Sequence, residues 1–212
     1  MKLYTNGCSF TKYIRDQDCN HWPDYLAEML PAEVINEAEG CGSNQRAFRK
    51  TYEHLLLNQP DLVIIQLTDT FRFEFYQHIG QLWSSCKTGP MVINDTPDKL
   101  GEKLVSLKEK SFTGVEEKYN YISILNSFKS IFDQFNVKHF FCQTSMGLRV
   151  LDYNTVNYFN KNFSWVYEND CLSSSFWLCN PEMDPNDGHP TAHGNQKIAN
   201  WIYNGIKDRL AK

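Results

Sequence analysis

The feature that most constrains this chain is the run Leu62-Val63-Ile64-Ile65-Gln66-Leu67, entered through the break Pro60-Asp61. A strand with one wet face alternates apolar and polar residues. This run does not alternate, so it reads as a central parallel strand covered on both faces. Parallel neighbours need crossover connections, usually helices, on either side of the run.

The flanking pattern supplies them. Strands are expected at Leu3-Tyr4-Thr5, from Glu33 to Ala38, at His139-Phe140-Phe141-Cys142-Gln143, and from Phe163 to Val166 as a fifth. Helices are expected from Trp22 to Leu30, with Pro23 tolerated near the start, and from Gln45 to Asn58, capped by Ser43 or Asn44. The second of these places Phe48, Tyr52, Leu55 and Leu56 at helical spacing. Tyr121, Ile122, Leu125, Phe128, Phe132 and Phe135 mark a long amphipathic helix. Ile198, Trp201, Ile202 and Ile206 mark a last one, with Pro190 near its first turn. Strands alternating with helices imply an α/β fold: three layers, α/β/α, around a mainly parallel, flavodoxin-like sheet of four to five strands. With 212 residues and about 150 per domain as the usual scale, residues 1–212 read as one domain.

The stretch from about 71 to 115 interrupts this order and reads as an insertion beside the site, longer than an ordinary connection. Phe71, Phe75, His78, Ile79 and Leu82 fit a helical face, Gly89-Pro90 and Thr96-Pro97 mark loops, and Lys99 to Lys110 reads as a solvated helix face. Phe71, Phe73, Phe75, Tyr76 and Trp83 either wall a substrate pocket or join the core.

Composition removes several functions. Hydrophobic residues make up 42% and charged residues 22%, an ordinary globular balance. The formal charge of −4 gives no field for polyanions, so nucleic acid is not an expected partner. No apolar stretch approaches the roughly 20 residues of a membrane span. The start, Met1 to Gly7, turns polar before a signal-peptide core forms. Seven cysteines, an odd number without a repeating frame, read as free thiols in a reducing compartment, so a cytoplasmic location is expected.

Sheets of this kind place their sites beyond the carboxyl ends of the strands. Four segments fall there or before the last helix: Gly7-Cys8-Ser9-Phe10-Thr11, Gly40-Cys41-Gly42-Ser43-Asn44, Thr68-Asp69-Thr70-Phe71-Arg72, and Asp184-Pro185-Asn186-Asp187-Gly188-His189-Pro190. Together they offer a hydroxyl nucleophile, loop amides, a polar side chain and a carboxylate–imidazole pair, the parts of an acyl-transfer site.

In type and order these segments resemble the SGNH, or GDSL-type, hydrolase superfamily. The resemblance spans residues 5 to 195. It implies a serine esterase in which Ser9 is the nucleophile, His189 the general base and Asp187 the acid that orients it. It also implies an oxyanion site from the amides of Ser9 and Gly42 with the Thr70 hydroxyl, Cys41 and Gly40 being alternatives to Gly42. Asn44 and Arg72 are the candidate substrate-binding side chains. The substrate class implied is a small-molecule or carbohydrate ester, such as an O-acetylated sugar or a short acyl chain, with no metal or organic cofactor. Three positions depart from the family: Cys8 replaces its Asp, its Asn after the third strand is missing, with Thr70 nearest to that role and Asp69 or Thr68 as alternatives, and Asn186 occupies the place three before the histidine. With strict spacing the site becomes a Ser9–His189 dyad supported by Asn186 or a backbone carbonyl.

Other readings remain for the same residues. His189 and His193 stand four apart, as metal ligands on a helix do, but no acid or cysteine accompanies them at zinc-site spacing, and Cys19-Asn20-His21 falls short in the same way. Cys8 is a thiol beside the serine. A fold that has lost turnover would serve as a binding module. Helix N-termini after Gly7 and Gly42 would suit a nucleotide, although neither loop has a phosphate-cradling glycine pattern.

Overall fold

The structure is a computed structural model that describes residues 1–12, 20–70, 72–77, 82–86, 114–144, 152–167 and 171–211. The run singled out in the sequence is β3 (Leu62–Leu67), and all six of its residues are buried. It pairs in parallel with β1 (Lys2–Asn6) on one side and β6 (Lys138–Gln143) on the other, and β1 pairs in parallel with β2 (Glu33–Asn36). The strand order is therefore β2-β1-β3-β6.

Successive side chains of a strand point to opposite faces, so β3 feeds two cores. Leu62 and Ile64 meet Trp22 and Leu26 of α1 (Trp22–Met29) and Ile198, Ile202 and Ile206 of the last helix, α5 (Ala192–Leu210). Val63, Ile65 and Leu67 meet Leu55 of α2 (Asn44–Leu57) and Phe128 and Phe132 of α3 (Gly114–Phe135). Phe159 of α4 (Tyr153–Asn162), with Phe163 and Trp165 after it, joins the second core. The three-layer α/β/α fold with a four-stranded parallel sheet is the one the sequence implies.

Three local expectations are corrected. Phe163 to Val166 does not form a fifth strand: pairing beyond β6 is confined to single bridges, Phe141 with Trp165 and Gln143 with Ser175. The buried Phe163, Trp165 and Val166 belong to the packing instead, Trp165 in one core and Val166 in the other. In α2, Tyr52 is 37% and Leu56 56% exposed. The buried face runs through Ala47, Thr51, His54 and Leu55, because Asn6 in β1 donates to the Ala47 carbonyl at 3.2 Å and pulls that face onto the sheet. Phe48 packs partly against Phe128, ring centroids 5.4 Å apart.

The third correction concerns the insertion. Its described part is an antiparallel hairpin, β4 (Phe73–Gln77) and β5 (Leu82–Cys86), where a helical face was expected. Phe71, Phe73 and Phe75 also alternate with period two, and that period prevails. Arg49 of α2 clamps the hairpin through Glu74, donating from Nε at 3.1 Å and Nη2 at 2.7 Å. The expectations for Phe71, His78, Ile79 and the Lys99 to Lys110 stretch lie outside the described residues.

Candidate active site

The segment after β1 is shaped by the strand beside it. Register sets Asn6 opposite Ile65, so Gln66, the single polar side chain of the buried run, reaches the turn that follows. Its Oε1 accepts from the Cys8 N–H at 3.0 Å, the Cys8 thiol at 3.2 Å and the Thr11 hydroxyl at 3.1 Å. Its Nε2 donates to the Leu67 carbonyl and to Thr144 Oγ1. A Cβ at Gly7 would stand 2.6 Å from that same Oε1, so only glycine admits the glutamine.

The Cys8 carbonyl accepts the N–H groups of Thr11 and Lys12 at 2.9 and 3.0 Å, closing a turn that leaves Ser9 half-buried at the rim. Thr11 is tied further, accepting from the Trp22 indole at 3.2 Å and, through its carbonyl, from Asn36. Sequence reasoning missed Gln66 and Thr11, although a lone amide inside an apolar run was a visible signal.

The segment after β2 is held by its own hydrogen bonds. The Gly42 N–H donates to the Glu39 carbonyl at 3.0 Å, so the amide expected at the oxyanion position is already engaged. Cys41, before it, takes a left-handed φ of 56°, a conformation that favours glycine. Burial opposes ionisation of Glu39, but Lys12, the Gly40 amide and Arg46 outweigh it and lower its pKa. Ser43 caps α2 by accepting the Arg46 N–H at 3.1 Å.

Asn44 is committed to the fold: its Nδ2 donates to the Thr68 carbonyl at 3.0 Å and its Oδ1 accepts the Thr68 N–H at 2.9 Å. This two-way bond fixes the start of α2 to the end of β3. Thr70 is half-buried two residues on. Arg72 is 7% exposed, with its Nη2 3.9 Å from Asp69 Oδ2.

The fourth segment comes from the far end of the chain. Asp187 Oδ1 accepts the His189 N–H at 2.8 Å and lies 3.5 Å from His189 Nδ1. That second approach is an electrostatic contact, since Nδ1 has no hydrogen-bond partner. The Asn186 side chain turns instead to Asp184 Oδ1 at 3.0 Å.

Buried Asn195 seats this loop. Its Nδ2 donates to the carbonyls of Pro190 at 3.0 Å and Thr191 at 3.1 Å, and its Oδ1 accepts the Trp22 N–H at 3.2 Å. The His189 ring then lies 5.5 Å, centroid to centroid, from Phe10, the neighbour of Ser9. His21 is also close: burial lowers its pKa, Asp24 opposes this, and the charge of His189 adds to the lowering.

Thus the structure gathers residues 9 and 189 at one rim, although no hydrogen bond joins the Ser9 hydroxyl to His189 among the described residues. Trp177 extends the rim, edge-on to Phe10 at 5.9 Å with its indole N–H bonded to the Thr144 carbonyl at 2.6 Å. His193 is exposed on α5, and among the described residues no three of His, Cys, Asp and Glu gather as metal ligands would.

The fold matches solved structures. One is TesA, with a TM-score of 0.58 at 12% identity over 98% of this chain and 99% of that one. This is the SGNH-hydrolase fold. The psychrotrophic esterase EstA of a Pseudoalteromonas species shares it, with a TM-score of 0.57 at 13% identity over 100% of this chain and 99% of that one. A GDSL-like lipase of Bacteroides thetaiotaomicron shares it too, at 0.54 and 11% over 99% and 89%. No protein-family model and no curated protein matches the chain. Ser9 and Thr70 follow the carboxyl ends of β1 and β3, and the Phe10 contact sets His189 beside the first of them. Among the described residues no helix is long and apolar enough to cross a membrane.

Proposed function

We propose that the protein is a serine esterase acting on a small-molecule or carbohydrate ester, such as an O-acetyl or short acyl group. One observation carries the reading: the Phe10–His189 contact joins the two ends of the chain beside Ser9. Ser9 Oγ attacks the ester carbonyl while His189 takes its proton. The tetrahedral intermediate collapses, the ester C–O bond breaks, and the proton passes from His189 to the leaving alcohol. Water then repeats the sequence on the acyl-enzyme and releases the acid. A side-chain rotation of Ser9 or His189 makes the hydrogen bond that this step needs, and apo sites commonly tighten in this way.

Asp187 steadies the imidazolium through its 3.5 Å contact. The oxyanion donors are the Ser9 amide and the Thr70 hydroxyl, and the Gly42 amide adds a third only by leaving the Glu39 carbonyl. A missing oxyanion donor typically costs about 2.7–4 kcal/mol in the barrier, so turnover with two is slow rather than absent. The chemistry draws on no metal or organic cofactor. Cys8, Cys142 and Cys179 stand as thiols outside any disulfide, which supports a cytoplasmic setting.

A second reading, a binding module without turnover, is favoured by the Gly42 bond and by Thr70 in place of asparagine. Labelling with a fluorophosphonate probe and assay on short 4-nitrophenyl esters separate the two. The esterase labels and turns over, and loses both in Ser9→Ala and His189→Ala. An intact protein that neither labels nor turns over is the binding module.

A further inference from the structure

Among the described residues, several buried polar groups after β3, at the end of β6 and on α3 have atoms without a hydrogen-bond partner. Arg72, at 7% exposure, has no hydrogen bond at Nε or Nη1, and its Nη2 is 3.9 Å from the Asp69 carboxylate. Thr68 Oγ1, the Tyr121 hydroxyl and Gln143 Oε1 are buried and unpartnered as well. Shared neighbours link three of them, Arg72 and Tyr121 through Asp69, and Tyr121 and Gln143 through Cys171. Gln143 stands opposite Leu67 in the ladder, next to Thr68. Tyr121, its pKa raised chiefly by burial, also lies within electrostatic reach of Asp69 and Cys171, and Gln143 Nε2 donates to the Cys171 carbonyl.

A guanidinium carries five N–H donors in a flat fork, and leaving two of its nitrogens dry inside a protein is costly. Native interiors rarely tolerate such a cluster unless something else fills it. Carboxylate matches the fork, accepting two parallel bonds. Asp69 beside the guanidinium already cancels part of its charge. That disfavours a dianion such as phosphate, and a single negative charge suits the remainder. The neighbouring hydroxyls and the amide oxygen can bond a hydroxyl next to the carboxylate.

From this arrangement we infer that Arg72, with Thr68, Tyr121 and Gln143, forms a subsite for a carboxylate carried by the substrate, so that the preferred esters are those of an acidic molecule. The subsite lies two residues past Thr70, on the same segment as the proposed oxyanion donor. Only the word substrate rests on the esterase reading, and the binding itself is measured apart from turnover.

The first measurement titrates sodium acetate into the Ser9→Ala protein and follows the Arg72 side-chain Nε–H resonance, identified by its loss in Arg72→Lys. A saturable shift with acetate, and none with neutral methyl acetate, is expected. No response to acetate, or a saturable response to inorganic phosphate alone, overturns the inference. Arg72→Lys serves only to assign the resonance, and the response itself is read in the Ser9→Ala protein.

The second compares 4-nitrophenyl hemisuccinate with its neutral methyl ester. The preference for the acid in kcat/KM should fall by about 10- to 100-fold in Arg72→Gln, as loss of a charge-assisted bond implies. An unchanged preference overturns the inference. Acetate binding without any turnover would sink the esterase reading and leave the carboxylate subsite standing.

Discussion

The two halves of the proposed catalytic pair are held in opposite ways. The Ser9 turn is fixed from inside: Gln66, fully buried, bonds Cys8 at two atoms and Thr11 at a third, and Trp22 and Asn36 bond Thr11 again. The His189 loop is fixed from outside. Asn186, Asp187 and Gly188 are exposed, and the loop closes on its own backbone, with the Asp184 N–H on the His189 carbonyl at 2.8 Å and the Gly188 N–H on the Asp184 carbonyl at 2.9 Å. Asn195, at its base, ties it by hydrogen bonds to the buried Trp22. The proposed nucleophile is therefore held with the sheet, while the proposed base can shift by a bond rotation. An unmade Ser9–His189 bond in the free protein fits that division.

The contrast can be broken from either side. Removing either partner has the largest effect: Ser9→Ala and His189→Ala should each lower kcat on short 4-nitrophenyl esters by about 10³-fold or more, with unfolding midpoints in urea little changed. Unequal losses, with His189→Ala mild, would show that the loop does not carry the base.

Gln66→Leu strikes the rigid side next. It strips partners from the buried Cys8 N–H and Thr11 hydroxyl, and about 1–3 kcal/mol per orphaned group implies a clear drop in urea stability together with lost turnover. The matching cut on the mobile side, Asn195→Ala, orphans the Trp22 N–H and the Pro190 carbonyl. Its stability cost, about 1–3 kcal/mol, should come with a larger fall in kcat than in KM, because the base is misplaced.

Asp187→Ala should slow turnover by about tenfold, since its contact is electrostatic and partly exposed, whereas Asn186→Ala should leave the rate nearly intact. The reverse ranking, read from kcat of the two variants, would put the asparagine in the supporting role.

The smallest effect lies at the junction. Burial lowers the His21 pKa from its ordinary value of 6.5, helped by His189 and opposed by Asp24. The unfolded chain then binds a proton near pH 6.5 while the native protein does not. Stability is full above that pH and declines as pH falls from 6.5 toward the lowered native value. His21→Asn should flatten the urea midpoint between pH 7.5 and 5.5, and an unchanged slope would show that His21 is not the sensor.

Legibility followed the range of the interactions. The Leu62–Leu67 run and the Ile198, Trp201, Ile202 and Ile206 stripe were readable because burial periodicity is written in neighbouring residues. The hairpin at 73–86 was misread because its aromatics satisfy a helical period as well as a strand period, and the clamp that selects the strand, Arg49 on Glu74, spans 25 residues. The Phe163 to Val166 segment carried the composition of a strand but paired only once. The role of Gln66 was not legible because its partners lie 58 and 55 residues away.

By itself the sequence determined the layers, the strand order's parallel character and the types of group delivered to the rim, since these follow from local pattern and from the rule that such sheets gather loops at one edge. Tertiary structure alone decided which groups remain available there. It engaged Asn44 and the Gly42 amide in the fold, left Arg72 dry, and brought His189 to the neighbour of Ser9. A hydrogen bond between distant residues depends on register and packing, and neither is encoded at any single position.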